Sequence, residues 1–144
     1  MKLLGIDYGR KRIGIAVTDP TGAVIRGLPT IEHLAAARAE DKLVKIIEEH
    51  APDKLIFGLP LGPDDEETTM SQEVRAAASR IADRTGITVR FVDESFSSRD
   101  AELLLRTKKK KHRRNKASVD RIAACLILQS YQRDFPGDVS PHSS

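Results

Sequence analysis

The chain has 144 residues, of which 40% are apolar and 31% charged, which suits one domain with a real core but not two ordinary ones. No run approaches the roughly 20 apolar residues of a membrane span, and Asp7 interrupts the N-terminus before a signal peptide's apolar region could form, so we expect a cytoplasmic protein that engages no membrane. The single cysteine excludes an intrachain disulfide, and four scattered histidines argue against a structural zinc site.

The N-terminal segment predicts a β-hairpin with a carboxylate at the end of its first strand. The first apolar run covers residues 3–9 and the stretch 10–17 follows it, so that two apolar segments flank a basic turn that contains glycine. Asp7 breaks the first apolar run, and a carboxylate there should be paired, open to a cleft or bound to a cation, because its desolvation is costly. Gly5, Gly9 and Gly14 carry no side chain, so we expect the backbone near Asp7 to be accessible to a metal ion and a phosphate. The alternative is that Asp7 only caps the turn.

The next segments predict a meander followed by a crossover. A third strand is expected at 23–28, where Pro29 ends it, and this strand completes an antiparallel meander. Apolar residues at helical spacing predict a helix over 35–50. The strand at 54–58 follows that helix, which indicates a parallel crossover.

A second helix and a fifth strand follow an acidic loop. The acidic residues at 64–67 are consecutive and rarely converge on one ion, so we interpret them as a solvated loop. The spacing of Thr69 and Gln72 predicts a capping box, and Gly86 is expected to end the helix. The fifth strand is predicted at 87–92, directly before Asp93 and Glu94.

The C-terminal third predicts two further helices and a tail. One helix is expected from residue 97 to Thr107, and an amphipathic helix follows from Val119. Residues 136–144 are rich in Gly, Pro and Ser and are predicted to be disordered. The sequence thus predicts one domain over 1–135, an α/β fold with a five-stranded mixed sheet flanked by helices.

Three carboxylates end or begin elements that can meet at one edge of this sheet. Asp7 and Glu94 follow strands that can be parallel neighbours, and Asp120 lies near the start of the last helix. At ~5 Å spacing each pair would repel by roughly 3 kcal/mol at an effective dielectric of ~20. A divalent cation or a raised pKa is therefore needed, and oxygen ligands suit Mg²⁺ or Mn²⁺. A regular strand would point Asp93 to the face opposite Glu94. Asp93 is therefore only the reserve metal ligand, in case Glu94 does not face the site.

Positive charge is concentrated in the first turn and in the segment 106–116. We expect these side chains to bind nucleic-acid phosphates, and the alternative for the second segment is a solvated linker. The residues predicted to bind nucleic acid are Arg10, Lys11, Arg12, Lys108, Lys109, Lys110, Lys111, Arg113, Arg114 and Lys116.

Five motifs together resemble the YqgF (RuvX) family. They are GIDYG at 5–9, RIGIA at 12–16, GLP at 58–60, VDE at 92–94 and DRIAACLILQ at 120–129. The resemblance implies an RNase H-like, three-layer fold and a RuvC-related nuclease associated with Holliday junctions and with maturation of the small-subunit ribosomal RNA precursor. It also implies a catalytic, metal-binding role for Asp7, Glu94 and Asp120. Ser95 and the loop 62–65 depart from the family pattern, and these departures concern substrate contacts.

Several interpretations remain open from the sequence. A non-catalytic nucleic-acid-binding module for ribosome assembly would need only the basic segments. An actin-like ATPase would need a second domain, and the glycine spacing does not match a dinucleotide site. Structured RNA and branched DNA are both compatible partners, because phosphate contacts carry no sequence information. Paired cuts in a junction would require a homodimer, so monomer and homodimer both stay open.

Overall fold

The computed structural model describes residues 1–32, 35–94 and 116–138, which form a five-stranded mixed sheet and three helices. The strands are β1 (Leu3–Tyr8), β2 (Arg12–Thr18), β3 (Ile25–Glu32), β4 (Lys54–Leu59) and β5 (Thr88–Asp93). The helices are α1 (Ala36–His50), α2 (Thr69–Thr85) and α3 (Lys116–Asp134). The strand order is β3-β2-β1-β4-β5, with β1, β2 and β3 antiparallel and β4 and β5 parallel to β1. This is the predicted sheet, with β1 at its centre.

The sheet separates two cores, which makes three layers. Leu4 and Ile6 pack with α1 and α2 on one face, whereas Leu3 packs with α3 on the other. Side chains alternate along a strand, so Asp7 shares the α3 face with Leu3, and Tyr8 shares the opposite face with Leu4 and Ile6. The predicted three-layer α/β arrangement is confirmed, and it directs Asp7 towards α3.

Helix α3 lies directly on a row of glycines that crosses four neighbouring strands. A Cβ at Gly14 would lie 2.1 Å from the backbone oxygen of Asp120, and one at Gly5 would lie 2.9 Å from that of Ala124. Both contacts are closer than real Cβ atoms approach. The row consists of Gly27 in β3, Gly14 in β2, Gly5 in β1 and Gly58 in β4. The expectation that glycines leave backbone uncovered for a ligand is wrong at Gly5 and Gly14, because α3 covers them.

Several element boundaries differ from the sequence prediction, among them the start of α3, which lies at Lys116 and not at Val119. Strand β3 continues through Pro29 to Glu32. It is an edge strand, so proline can be accommodated where its missing N–H faces away from the neighbouring strand. Helix α2 is capped by Thr68, which forms a reciprocal capping box with Ser71 instead of the predicted one that opens at Thr69.

The start of the tail belongs to the folded domain. Residues 136–138 form a 3-10 turn, and Asp138 accepts hydrogen bonds from Lys54 Nζ at 2.9 Å and from the Tyr131 hydroxyl. The remaining tail, 139–144, the predicted helix from 97 to 107 and most of the basic segment lie outside the described residues. In the part of the chain that is described, no helix is both long and apolar enough to cross a membrane.

Candidate active site

Asp7 lies near the carboxyl end of the central strand. In register it faces Gly14 of β2, and Gly14 in turn lies beneath the backbone of Asp120. The glycine therefore brings the first turns of α3 close to the Asp7 carboxyl. This close packing explains how residues 113 positions apart in the chain share one site.

Glu94 follows β5 and reaches the same place from the other side of β1. Its N–H donates to the Leu59 carbonyl at 3.0 Å, which fixes the backbone where β4 and β5 end. Gly58 makes room for its side chain, because a Cβ there would lie 2.6 Å from the Glu94 Cγ. The bare Gly58 thus lets Glu94 reach across β4 towards Asp7.

The Asp7 and Glu94 side chains are hydrogen-bonded to each other. Burial raises the pKa of Glu94, the nearby charge of Asp93 raises it further, and the hydrogen bond with Asp7 lowers it. The net upward shift of the Glu94 pKa therefore follows mainly from burial, which disfavours the charged carboxylate.

Asp120 faces the same cleft but is paired with a cation of the hairpin. Its Oδ2 accepts a hydrogen bond from Arg12 Nε at 2.7 Å, and the two side chains are only 22% and 28% exposed. Arg12 is the first residue of β2, and its carbonyl accepts from the Gly9 N–H at 3.0 Å, which closes the hairpin. The pair links the basic turn to α3.

The three predicted acidic residues line one open cleft of about 370 Å³. Within residues 1–32, 35–94 and 116–138, no three His, Cys, Asp or Glu side chains lie close enough together to hold one ion. The arrangement therefore consists of a hydrogen-bonded carboxyl pair and a third carboxylate engaged by arginine. The full lining is Asp7, Tyr8, Gly9, Arg10, Lys11, Arg12, Pro60, Met70, Glu94 and Asp120.

The basic residues of the turn occupy different environments around the cleft. Arg10 is paired with Glu73 of α2, and its Nε donates to that carboxylate at 3.1 Å. Lys11 is exposed, while Arg12 is bound to Asp120. Lys116 begins α3, and the predicted positions Lys108, Lys109, Lys110, Lys111, Arg113 and Arg114 lie outside the described residues.

Sequence reasoning missed Tyr8 as a lining residue. Its hydroxyl hydrogen-bonds with Arg80 of α2, which is held in turn by the buried carboxylate of Glu40 in α1. Burial raises the pKa of Tyr8, and the nearby charge of Glu40 adds to the effect. Alternation along the strand directs Tyr8 to the layer opposite Asp7, so the sequence pattern gave no signal that it lines this cleft.

A larger cleft of about 670 Å³ lies between β3 and α1. It shares no residue with the acidic cleft, and its charged lining consists of Glu32, Lys42, Lys45 and Glu49. These opposite charges do not form a convergent set of like ligands. The smaller cleft therefore remains the candidate site.

The five-stranded mixed sheet, with helices on both faces, defines a protein of the RNase H-like fold. RuvC of T. thermophilus, solved in complex with a Holliday junction substrate, superposes with a TM-score of 0.62 at 18% identity over 93% of this chain and 96% of RuvC. The Fowlpox virus resolvase, solved with Holliday junction DNA, gives a TM-score of 0.58 at 15% identity over 94% of this chain and 99% of that protein. These likenesses establish the fold.

The chain belongs to the RuvX family, whose model, described as Holliday junction resolvase, matches residues 1–134. A relative from Nitratidesulfovibrio vulgaris is 40% identical over 131 residues, which cover 91% of this chain and 92% of the relative. One from Crocosphaera subtropica is 36% identical over 128 residues, covering 89% and 90%. Both are named "Putative pre-16S rRNA nuclease". The predicted family is confirmed, and it is a family of nucleases.

Proposed function

We propose that this chain is a divalent-metal-dependent endonuclease that hydrolyses phosphodiester bonds in structured nucleic acid, either a precursor of 16S rRNA or a branched DNA. The observation that carries the proposal is the placement of Asp7, Glu94 and Asp120 in the lining of one cleft. Crowded carboxyl groups of this kind cost free energy in a folded protein unless a proton or a cation lies between them.

The donor set fits Mg²⁺ or Mn²⁺. All three acidic side chains offer carboxylate oxygens, the ligands that these hard cations prefer, and the cleft is open to the waters that Mg²⁺ retains. Asp7 and Glu94 would hold the ion, and Asp120 would join them after leaving Arg12. A bound divalent ion would activate the attacking water and stabilise the leaving oxygen of an in-line displacement.

The basic turn would hold the phosphates around the scissile bond. Lys11 is exposed at the rim of the cleft, and Arg10 is held against α2 by its ion pair with Glu73. Both side chains can meet a polyanion without moving the hairpin backbone. Phosphate contacts position the nucleic-acid strand but do not recognise its sequence. They are therefore compatible with both an rRNA precursor and a branched DNA.

A non-catalytic nucleic-acid-binding module for ribosome assembly is the second candidate. The observation that favours it is the pairing of Asp120 with Arg12, because a carboxylate engaged by arginine is a stable structural link that needs no ion. In that case the basic residues alone would carry the function. The two candidates differ in whether phosphodiester bonds are cut.

The experiment is a cleavage assay with purified protein on a four-way DNA junction and on a structured 16S rRNA precursor in parallel, with Mg²⁺, Mn²⁺ or EDTA. We expect cleavage of at least one substrate with either ion and none in EDTA. Glu94→Gln should abolish it, while Asp93→Asn, one residue away and outside the cleft lining, should retain most of it. Binding without cleavage under every metal condition would support the assembly module instead.

A further inference from the structure

The ion pair between Arg12 and Asp120 occupies an oxygen that the proposed metal site requires. Arg12 Nε lies 2.7 Å from Asp120 Oδ2, and both side chains are mostly shielded from solvent. Charged hydrogen bonds with partial burial are stronger than exposed pairs. Asp120 therefore has a competing partner within the protein itself.

The backbones on both sides of this pair are held in place. Gly14 packs against the backbone of Asp120 so closely that a Cβ would not fit, and the hairpin is closed at Arg12 by its bond with Gly9. Neither residue can change partner by moving its element. Any rearrangement must come from rotation of the two side chains.

We infer that Arg12 is a positioning residue that holds Asp120 in the metal-free protein and must release it before a divalent cation is fully ligated. The inference rests on the proposed function. It accounts for the position of Asp120, which lines the same cleft as Asp7 and Glu94 while its Oδ2 is bound by Arg12. Metal affinity is then the ligation energy less the free energy of breaking this pair.

If a cation must replace Arg12 as the partner of Asp120, the Arg12–Asp120 pair lowers the affinity for the metal ion. Removing Arg12 abolishes the competing bond, so the ion meets a free carboxylate. One partly buried charged hydrogen bond corresponds to about a three- to tenfold change in an equilibrium constant. Arg12→Met should therefore bind Mn²⁺ about three- to tenfold more tightly than the wild type.

Loss of a positive charge near the cleft could tighten cation binding without any exchange, so the test needs matched variants. Lys11→Met removes a charge from the same turn without touching Asp120, and we expect less than about a twofold gain. Arg12→Lys keeps the charge but replaces the planar guanidinium with a single ammonium, and we expect an intermediate affinity. The deciding comparison is Arg12→Met in an Asp120→Asn background, where the exchange gain should disappear.

The measurement is isothermal titration calorimetry with Mn²⁺ alone, without nucleic acid, after thermal unfolding has shown that each variant is folded. A gain for Arg12→Met that is lost in the Asp120→Asn background supports the inference. An equal gain in both backgrounds, or weaker binding by Arg12→Met, overturns it while leaving the metal-dependent nuclease intact. If the wild type and all variants bind no Mn²⁺, the proposed function fails and the inference fails with it. If Arg12→Met does not fold, the Arg12→Lys comparison with Lys11→Met decides in the same way.

Discussion

Substitution of Gly14 by alanine should separate α3 from the sheet and disable the site with one methyl group. The added Cβ would lie 2.1 Å from the Asp120 backbone oxygen and 2.6 Å from its carbonyl carbon. Both neighbours are backbone atoms, so no side-chain rotation relieves the contact, and α3 must shift by roughly 1 Å or more to restore van der Waals distance. Overpacking of this kind costs about 1–3 kcal/mol, and we expect the upper part of that range.

The assay for Gly14→Ala combines urea unfolding with the cleavage rate at a temperature where the variant is fully folded. We expect the free energy of unfolding to fall by about 2–3 kcal/mol. The cleavage rate should fall at least tenfold, because Asp120 moves with α3 and an error of about 1 Å in a catalytic group is costly. Gly137→Ala is the control, since a Cβ there meets nothing within 4 Å. Wild-type stability and activity in Gly14→Ala would refute the tight packing of α3 on β2.

Three further results are expected. Glu94→Gln should raise the melting temperature above pH 7 and have little effect on it near pH 3.5. The pKa of Glu94 is raised in the folded protein, so ionisation of this group lowers stability as pH rises, and glutamine removes that loss. A lower melting temperature of the variant above pH 7 would contradict this. Replacing the four lysines at 108–111 by alanine should reduce the slope of log binding constant against log salt concentration by up to about 3–4, with little change in stability. An unchanged slope would favour the alternative that this segment is a solvated linker. Glu40→Gln should lower the free energy of unfolding by about 1–2 kcal/mol, because Glu40 is buried and accepts two contacts from Arg80; Asp41→Asn, which breaks an exposed pair between the same helices, should cost less than about 0.5 kcal/mol, and equal losses would contradict the distinction.

The strand order and the meeting of Asp7 with Glu94 could be predicted because local patterns determine them. Apolar runs and turn residues define the strands, and the crossover before β4 makes β1 and β4 parallel neighbours. The carboxyl ends of β1, β4 and β5 then lie at one edge of the sheet. That topology brings Asp7 and Glu94 into one cleft, whereas the position of Asp120 beside them depends on how α3 packs.

The close packing of α3 could not be predicted from the sequence. The glycines of β1 and β2 are compatible with an open phosphate site and with helix packing, and only the tertiary structure distinguishes them. The apolar stripe of α3 is similarly ambiguous, because Ala124 and Leu128 face Gly5 while Ile122 is partly exposed. The partner of Asp120 depends on this packing too, since Arg12 lies 108 positions away.

The most direct test of the metal-dependent nuclease is the single-turnover cleavage rate of Asp7→Asn, with Mn²⁺, beside the wild type on whichever substrate the wild type cuts. Asparagine keeps the shape of the side chain but removes the central carboxylate of the cleft. We expect the cleavage rate to fall by at least about 10³-fold, because a lost metal ligand disables both the attacking water and the leaving group. The melting temperature should be unchanged or slightly higher, since repulsion between the carboxyl groups is relieved. Cleavage by Asp7→Asn at the wild-type rate would contradict the central claim.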